Sequence, residues 1–337
     1  MRVEKKTVRK LKTLVLSIMA IAGLLCAAGA LVCRLKYPAS AQTMPNPVEQ
    51  LATKEADEEF DVVVFSDIAN NYKTMKLELE AVNATNADFA ICNGDLVKYG
   101  SSAHRFSYVQ RQLLKTIKMP LFIIPGNHDD TPEVGFQRYH DFFGPERQYW
   151  NYADTLFVSI NTGKKSFDEI ESRFLKATLE QERAKFRRCV LIMHCPPVDL
   201  RPNQKSHCLE DETQIKALED LVKEHHIDMI VTSHIHWYLE GTFAGAPIFH
   251  TPSGGQHVRD PENPNFGYVL MSFKKDGGIL LKHVDVASDR GRSAEYCFIV
   301  ISERFPKIAC TGLTVFVAVS AIAFLSKRKT EMSQDVK

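Results

Sequence analysis

Seven side chains of the types that hold metal ions follow apolar runs along this chain: Asp67, Asp95, Asn127, His128, His194, His234 and His236. Taken singly, an Asp, Asn or His after a strand is an ordinary turn or capping residue. Seven of them on successive strand ends are more than turn chemistry requires. Carboxylate and imidazole donors together suit Mn, Fe or Zn, and suit Ca or Mg poorly. Such a set fits phosphoester hydrolysis. Two metal ions about 3.5–4 Å apart neutralise the phosphate oxygens and lower the pKa of a bound water. A carboxylate between them can bridge both. A histidine that binds no metal can stabilise the transition state or protonate the leaving alkoxide.

The elements that must position these residues are readable from periodicity. Strands are expected over 61–65, 88–92, 121–124, 189–193 and 228–232, each running into one of the polar blocks. Residues 150–160 alternate enough for one or two more. Helices are expected from Tyr72 to Val82, Ala103 to Ile117, Phe167 to Phe186 and Glu210 to Glu224. The remainder, 243–286, is turn-rich β. Strand, polar loop and helix in repetition argue for an α/β sandwich with helices outside. In such folds ligands collect at the carboxyl ends of the strands.

The series Asp67, Gly94-Asp95, Gly126-Asn127-His128-Asp129, His194 and His234-x-His236 resembles the signature of the calcineurin-like metallophosphoesterases, over roughly residues 60–285. The resemblance implies an α/β, four-layer αββα sandwich. It implies that Asp95 bridges two metals, that Asn127, His194 and His234 complete one site, and that Asp67 and His236 hold the other. It implies that His128 is the catalytic residue outside the metal shell. The expected cofactors are one or two divalent ions, Mn, Fe or Zn, and the expected substrate is a phosphomonoester or phosphodiester.

Two positions depart from the signature. Its first block is Asp-x-His, and here it reads Asp67-Ile68-Ala69. Asn70 or Asn71 could offer an amide oxygen instead, as could the phenol of Tyr99. The second departure is Lys98, where relatives place an Asp that steadies the catalytic histidine. A lysine side chain cannot accept a hydrogen bond; Asp129 or Asp130 would have to take over. These departures motivate an alternative, a degenerate module that binds metal and phosphate with weak or no catalysis. His250 and His257 flank Ser253-Gly254-Gly255 and read either as cleft-bordering or as exposed loop residues. Cys195 and Cys208 could pair.

The ends are apolar. Residues 14–33 and 308–326 carry no charge, and the first run is long enough to span hydrocarbon. Arg2, Lys5, Lys6, Arg9, Lys10 and Lys12 precede the first run, while only Arg34 and Lys36 follow it; Lys327, Arg328 and Lys329 follow the second. The positive-inside rule then puts both termini in the cytoplasm and the body on the outer face. The first run also reads as a signal peptide cleaved after Ala41. The expected organisation is a signal-anchor or signal peptide at 1–36, a linker at 37–59, the phosphoesterase domain at 60–287, a linker at 288–306, a transmembrane helix at 307–327 and a cytoplasmic tail at 328–337. The lipid bilayer is one expected partner. A formal net charge of +1 gives no signal for nucleic acid.

Overall fold

The structure is a computed structural model that describes residues 2–69, 71–204 and 206–287, together with helical positions 299–300, 311, 313–318 and 321–322. The chain divides into two compact units, residues 39–293 and the two ends, 1–38 with 294–337. In the end unit, α1 (Arg2–Lys36) is one helix. Its stretch Leu14–Lys36 is long and apolar enough to cross a membrane, a test that signal sequences also pass. Most of the expected C-terminal span at 307–327 lies outside the described residues.

The larger unit is built on two sheets. Parallel strands β1 (Phe60–Phe65), β2 (Phe89–Asn93) and β3 (Leu121–Ile124) form one half of the first. β10 (Phe266–Phe273) and β11 (Ile279–Val286) extend it antiparallel, in the order β11-β10-β1-β2-β3. The second sheet runs β4-β5-β6-β7-β9-β8. Its strands are β4 (Gln148–Tyr152), β5 (Thr155–Ser159), β6 (Arg188–Ile192), β7 (Met229–Thr232), β8 (Leu239–Phe243) and β9 (Ala246–His250), with β5, β6, β7 and β9 parallel.

Alternation along the strands fixes the layers. Val62, Val64, Phe89, Ile91 and Phe122 of one sheet meet Trp150, Phe157, Val190, Ile192 and Val231 of the other in a fully apolar core. Aromatic rings lock it: Phe122 stacks on Trp150 at 3.8 Å between centroids, and Phe60 on Phe273 at 4.3 Å. The opposite face of the second sheet packs Leu191, Ile230 and Ile248 under α6 (Glu169–Glu182) and α7 (Glu212–Glu224), through Leu175, Leu179, Leu218 and Val222. Helices α3 (Tyr72–Asn83) and α4 (Ala103–Thr116) accompany the first sheet, with α3 packed on β10. The order is therefore helices, sheet, sheet, helices.

The expected elements are found to within a few residues, with Arg183–Lys185 finishing α6 as a 3-10 turn. Two helices lay outside the periodicity reading: α2 (Pro47–Gln50) and α5 (Gln137–Phe143). Both are too short for a period to show. Gln42, in the Pro-rich stretch before β1, exchanges two hydrogen bonds with the side chain of Gln110 on α4, at 2.7 and 2.8 Å.

One buried acid is unexplained by packing. Glu78 on α3 has no exposed surface, and neither carboxylate oxygen has a hydrogen-bond partner among the described residues. Burial pushes its pKa up to about 8. The folded state thus binds a proton that the unfolded chain releases near 4.5. The contribution of this group to stability is full below that pH and is lost as the pH rises toward 8. Glu78→Gln is expected to remove that slope, leaving the variant more stable than the wild type at pH 8 by on the order of several kcal/mol. Urea denaturation of both proteins at pH 5 and pH 8 measures it.

Candidate metal centre

The polar blocks fall where parallel strands end. Asp67 follows β1, Asp95 follows β2, and Asn127 and His128 follow β3. His194 follows β6, and His234 and His236 follow β7. Main-chain bonds knit these loops together: Asp67 N–H to the Gly94 carbonyl at 2.9 Å, and Ser233 N–H to that of His194 at 2.9 Å. Asn93 ties one sheet to the other, donating to the Met193 carbonyl at 2.9 Å and to the Ser233 hydroxyl at 2.8 Å.

Tight turns are needed to aim the side chains inward. Asp67, Asp95, His234 and His236 all have left-handed backbones, with φ of 53°, 57°, 69° and 59°. For non-glycine residues this costs about 1–2 kcal/mol each, and such strain concentrates at functional sites. Gly94 (φ 90°) and Gly126 make the close approach possible. A Cβ on Gly126 would collide with the backbone nitrogen and carboxylate of Asp95 and with the His194 ring.

All six expected ligands come together. The donor atoms of Asp67, Asp95 and His236 lie within 4.8 Å of one another, as do those of His194, Cys195 and His234. Asp95 sits between the groups: His194 Nε2 is 3.4 Å from its Oδ1 and 3.3 Å from Asn127 Oδ1. Three imidazoles are held alike. Nδ1 of His194 donates to the Asn93 carbonyl at 2.7 Å, that of His236 to the His257 carbonyl at 2.7 Å, and that of His128 to the Lys98 carbonyl at 2.9 Å. Each bond fixes the tautomer and turns Nε2 toward the carboxylates.

The electrostatics fit divalent ions. His234 Nε2 is buried with no hydrogen-bond partner among the described residues. Burial, and then His194 beside it, push that imidazole down to about 2, so it stays neutral with a free lone pair. Burial pushes the Asp67 carboxyl up, but His236 at 3.0 Å outweighs it and holds the group ionised. A buried unpaired imidazole lone pair and two buried carboxylates are what a bound cation satisfies. Burial, then Asp95, push the Cys195 thiol well above its usual range, which disfavours a thiolate there.

Lys98 is the first correction. His128 does not rely on a carboxylate: the main-chain oxygen of Lys98 accepts from its ring. Asp129 is occupied elsewhere, taking N–H bonds from Leu96 (3.0 Å), Val97 (3.2 Å) and Gly126 (2.8 Å). It caps the two loops onto each other. Asp130 makes no bond to the ring either. His128 Nε2 then points at Asp95 Oδ2, 3.9 Å away.

Of the proposed substitutes for the missing histidine, Tyr99 and Asn71 do not enter the centre. Tyr99 is 53% exposed, with its ring against the Arg105 guanidinium at 5.0 Å and Lys98 Nζ at 5.4 Å. Asn70 lies outside the described residues, and Asn71 caps α3 by accepting from Thr74 N–H. His250 is neither cleft-lining nor an exposed loop residue. It ends β9 fully buried, bonded to the Thr232 hydroxyl and, through Nε2, to Leu200 N–H. His257 is exposed and contributes only its carbonyl. Cys195 and Cys208 are not joined by a disulfide.

Three residues without motif context border the centre. Gln256 is buried, bonds the Asp67 carbonyl through its N–H at 2.8 Å and reaches Asp95 Oδ2 with its amide at 2.9 Å. Arg259 bonds the His236 carbonyl at 3.1 Å, and its half-buried guanidinium feels the charges of Asp67 and Asp95. The His207 ring lies 5.3 Å from that of His234.

The chain matches the family model of calcineurin-like phosphoesterases over residues 60–238. It is 24% identical, over 60% of its length and 85% of the relative's, to a protein of Vesicomyosocius okutanii subsp. Calyptogena okutanii (strain HA) named a probable cyclic nucleotide phosphodiesterase. Among solved structures it resembles a yellow lupin purple acid phosphatase, with a TM-score of 0.56 and 15% identity over 74% of this chain. This chain spans 56% of the lupin chain. It also resembles GAP50, the anchor in the inner membrane complex of Plasmodium, with a TM-score of 0.51 and 12% identity over 73% of this chain and 94% of that one. At these identities the structural likenesses speak to the fold alone.

Two substitutions check the geometry. Lys98→Ala keeps the carbonyl, so the His128 tautomer is expected to persist, as read from imidazole ¹⁵N shifts. Gly126→Ala is expected to destabilise the protein by about 1–3 kcal/mol, as overpacking does, with a lowered thermal midpoint.

Proposed function

The chain belongs to the calcineurin-like phosphoesterases, metal-dependent hydrolases of phosphoric esters, and from that premise we propose that it is a membrane-anchored esterase acting outside the cytoplasm. The observation that carries the catalytic part is that Asp67, Asp95 and His236 gather in one buried group and His194 and His234 in a second, with Asp95 and Asn127 both beside His194. Asp95 is the residue between the two groups, with Asn127, His194 and His234 on one side and Asp67 and His236 on the other.

Divalent ions held there, of the Mn, Fe or Zn class, supply charge neutralisation at the phosphate and activation of water at neutral pH. The chain supplies the rest. His128, with Nδ1–H tied to a carbonyl, presents Nε2 to the reacting group; as an imidazolium it gives the Nε2 proton to the leaving oxygen and is left as the Nδ1–H tautomer. Arg259 faces the same space with no carboxylate bonded to its guanidinium among the described residues. That favours it as the group that pairs with a phosphate oxygen. A diester is the first substrate class to test, because the related bacterial protein bears a cyclic phosphodiesterase name.

The anchored and exported part rests on the apolar stretch Leu14–Lys36 and on the basic residues that precede it. Protease added to intact cells is expected to digest the body; protection of the body would overturn the outward orientation.

The full-length chain in detergent is expected to hydrolyse an aryl phosphate or an aryl phosphodiester with added Mn, and a chelator to abolish turnover. His128→Ala should lower kcat by roughly 10²–10⁴-fold. Arg259→Ala should chiefly raise KM. Metal binding without turnover under Mn, Fe, Zn and Co would instead support a non-catalytic metal- and phosphate-binding module.

A further inference from the structure

The group of Asp67, Asp95 and His236 is short of one donor, because Ala69 stands where the signature has a histidine. Ala69 is fully buried, and its N–H bonds the Asp95 carbonyl at 3.3 Å. The loop after β9 packs against that stretch of backbone. A Cβ on Gly255 would press on the backbone of Ile68, and one on Gly254 on the carbonyl of Ser66. Gly254 N–H bonds the Ser66 carbonyl at 2.9 Å, and Gln256 N–H bonds that of Asp67 at 2.8 Å. The two glycines let the loop lie flat on the Asp67 turn, and the next residue, Gln256, enters the centre from that side.

We infer that Gln256 supplies the oxygen donor that Ala69 cannot, completing the metal group of Asp67, Asp95 and His236. The side chain is 5% exposed and its amide is 2.9 Å from Asp95 Oδ2, the oxygen opposite the one that faces His194. The two ends of a primary amide have the same shape. A half-turn about the last bond therefore exchanges NH₂ for oxygen at that point without moving the chain. With no cation bound, the NH₂ end satisfies the buried carboxylate; with a cation bound, the oxygen end serves. A carbonyl oxygen is a weaker donor than imidazole to Mn, Fe or Zn. Each group then has one amide oxygen, but this one has a single imidazole against the two of His194 and His234, so it is the weaker of the two.

The inference rests on the metal-dependent reading above, and its test separates the two. Full-length protein is equilibrated with Mn, and bound metal per chain is measured with the affinity of each ion. The wild type is expected to hold two ions of unequal affinity. Gln256→Leu, similar in size but without a donor, should weaken the looser ion by at least about tenfold and leave the tighter one unchanged. Gln256→Glu keeps an oxygen at the same place and should retain both ions. Adding Ala69→His to Gln256→Leu should restore the second. Unchanged Mn stoichiometry and affinity in Gln256→Leu would overturn the inference. So would a wild type that holds one ion, although the metal-dependent reading would survive that result. A wild type that holds none would remove both. His234→Ala, which disturbs the other group, should weaken the tight ion and confirms that the two are read separately.

Discussion

Two carboxylates with no exposed surface, Asp67 and Asp95, set the constraint that the rest of the centre answers. Each ionised group taken out of water costs several kcal/mol unless opposite charge and hydrogen bonds meet it. The fold meets it in part with its own atoms. His236 faces Asp67 at 3.0 Å, and His128 N–H and the Gln256 amide reach the two oxygens of Asp95, each at 2.9 Å. Burial lowers the His236 pKa, but Asp67 outweighs it and raises it. Asp67 is thus met by charge, while Asp95 is met by these N–H donors alone. What remains is a field that favours a cation where the two carboxylates and His236 gather, and a second beside Asp95 where His194 and His234 lie. The same field explains why the imidazoles are oriented by carbonyls: Nδ1–H goes to the main chain, which turns Nε2 to the centre.

Holding that arrangement requires strain, and the two sheets carry it. Four left-handed side-chain-bearing residues and the glycines that let Asp95, Gly126 and His194 nest would open if the strand ends could drift. They cannot drift independently. β1, β2, β6 and β7 are central strands whose side chains fill a continuous core, and Asn93 bonds one sheet's loop to the other's. The Glu78 carboxyl, buried beside the Gly254 loop, adds a second cost to the same end of the fold. A structure optimised for stability alone would place neither buried acids nor left-handed Asp and His there.

What the sequence made legible follows from locality. Asp67, Asp95, Asn127, His194, His234 and His236 were readable because each sits within a few residues of a strand end, and strand ends are visible as the end of an apolar run. The same rule located β1 to β3 and β5 to β7. The roles that were not legible depend on long-range packing. Gln256 and Arg259 have no local pattern; they join the centre because the β9 loop folds back over the Asp67 turn. His250 looked like a loop residue because nothing in its neighbourhood shows that β9 lies beside β7, which buries it. The acceptor for His128 could not be read from side chains at all, since any residue at position 98 carries the carbonyl that holds the ring.

The two departures from the family signature are therefore unequal, and chemistry says why. At Lys98 the missing group is a hydrogen-bond acceptor. Acceptors are abundant, because every peptide unit has one, and the loop needs only to aim a carbonyl at Nδ1. The exchange replaces a charged acceptor with a neutral one. It keeps the tautomer and orientation of the ring. At Ala69 the missing group is a metal donor of imidazole strength, and no peptide carbonyl replaces that without a change of backbone. A side chain on a neighbouring loop can reach the place, and among the described residues the Gln256 amide already touches Asp95. The cost of the first departure falls on the energetics of proton transfer. The cost of the second falls on the affinity of one cation, so occupancy of that group, and with it the rate, would follow the supply of metal around the protein.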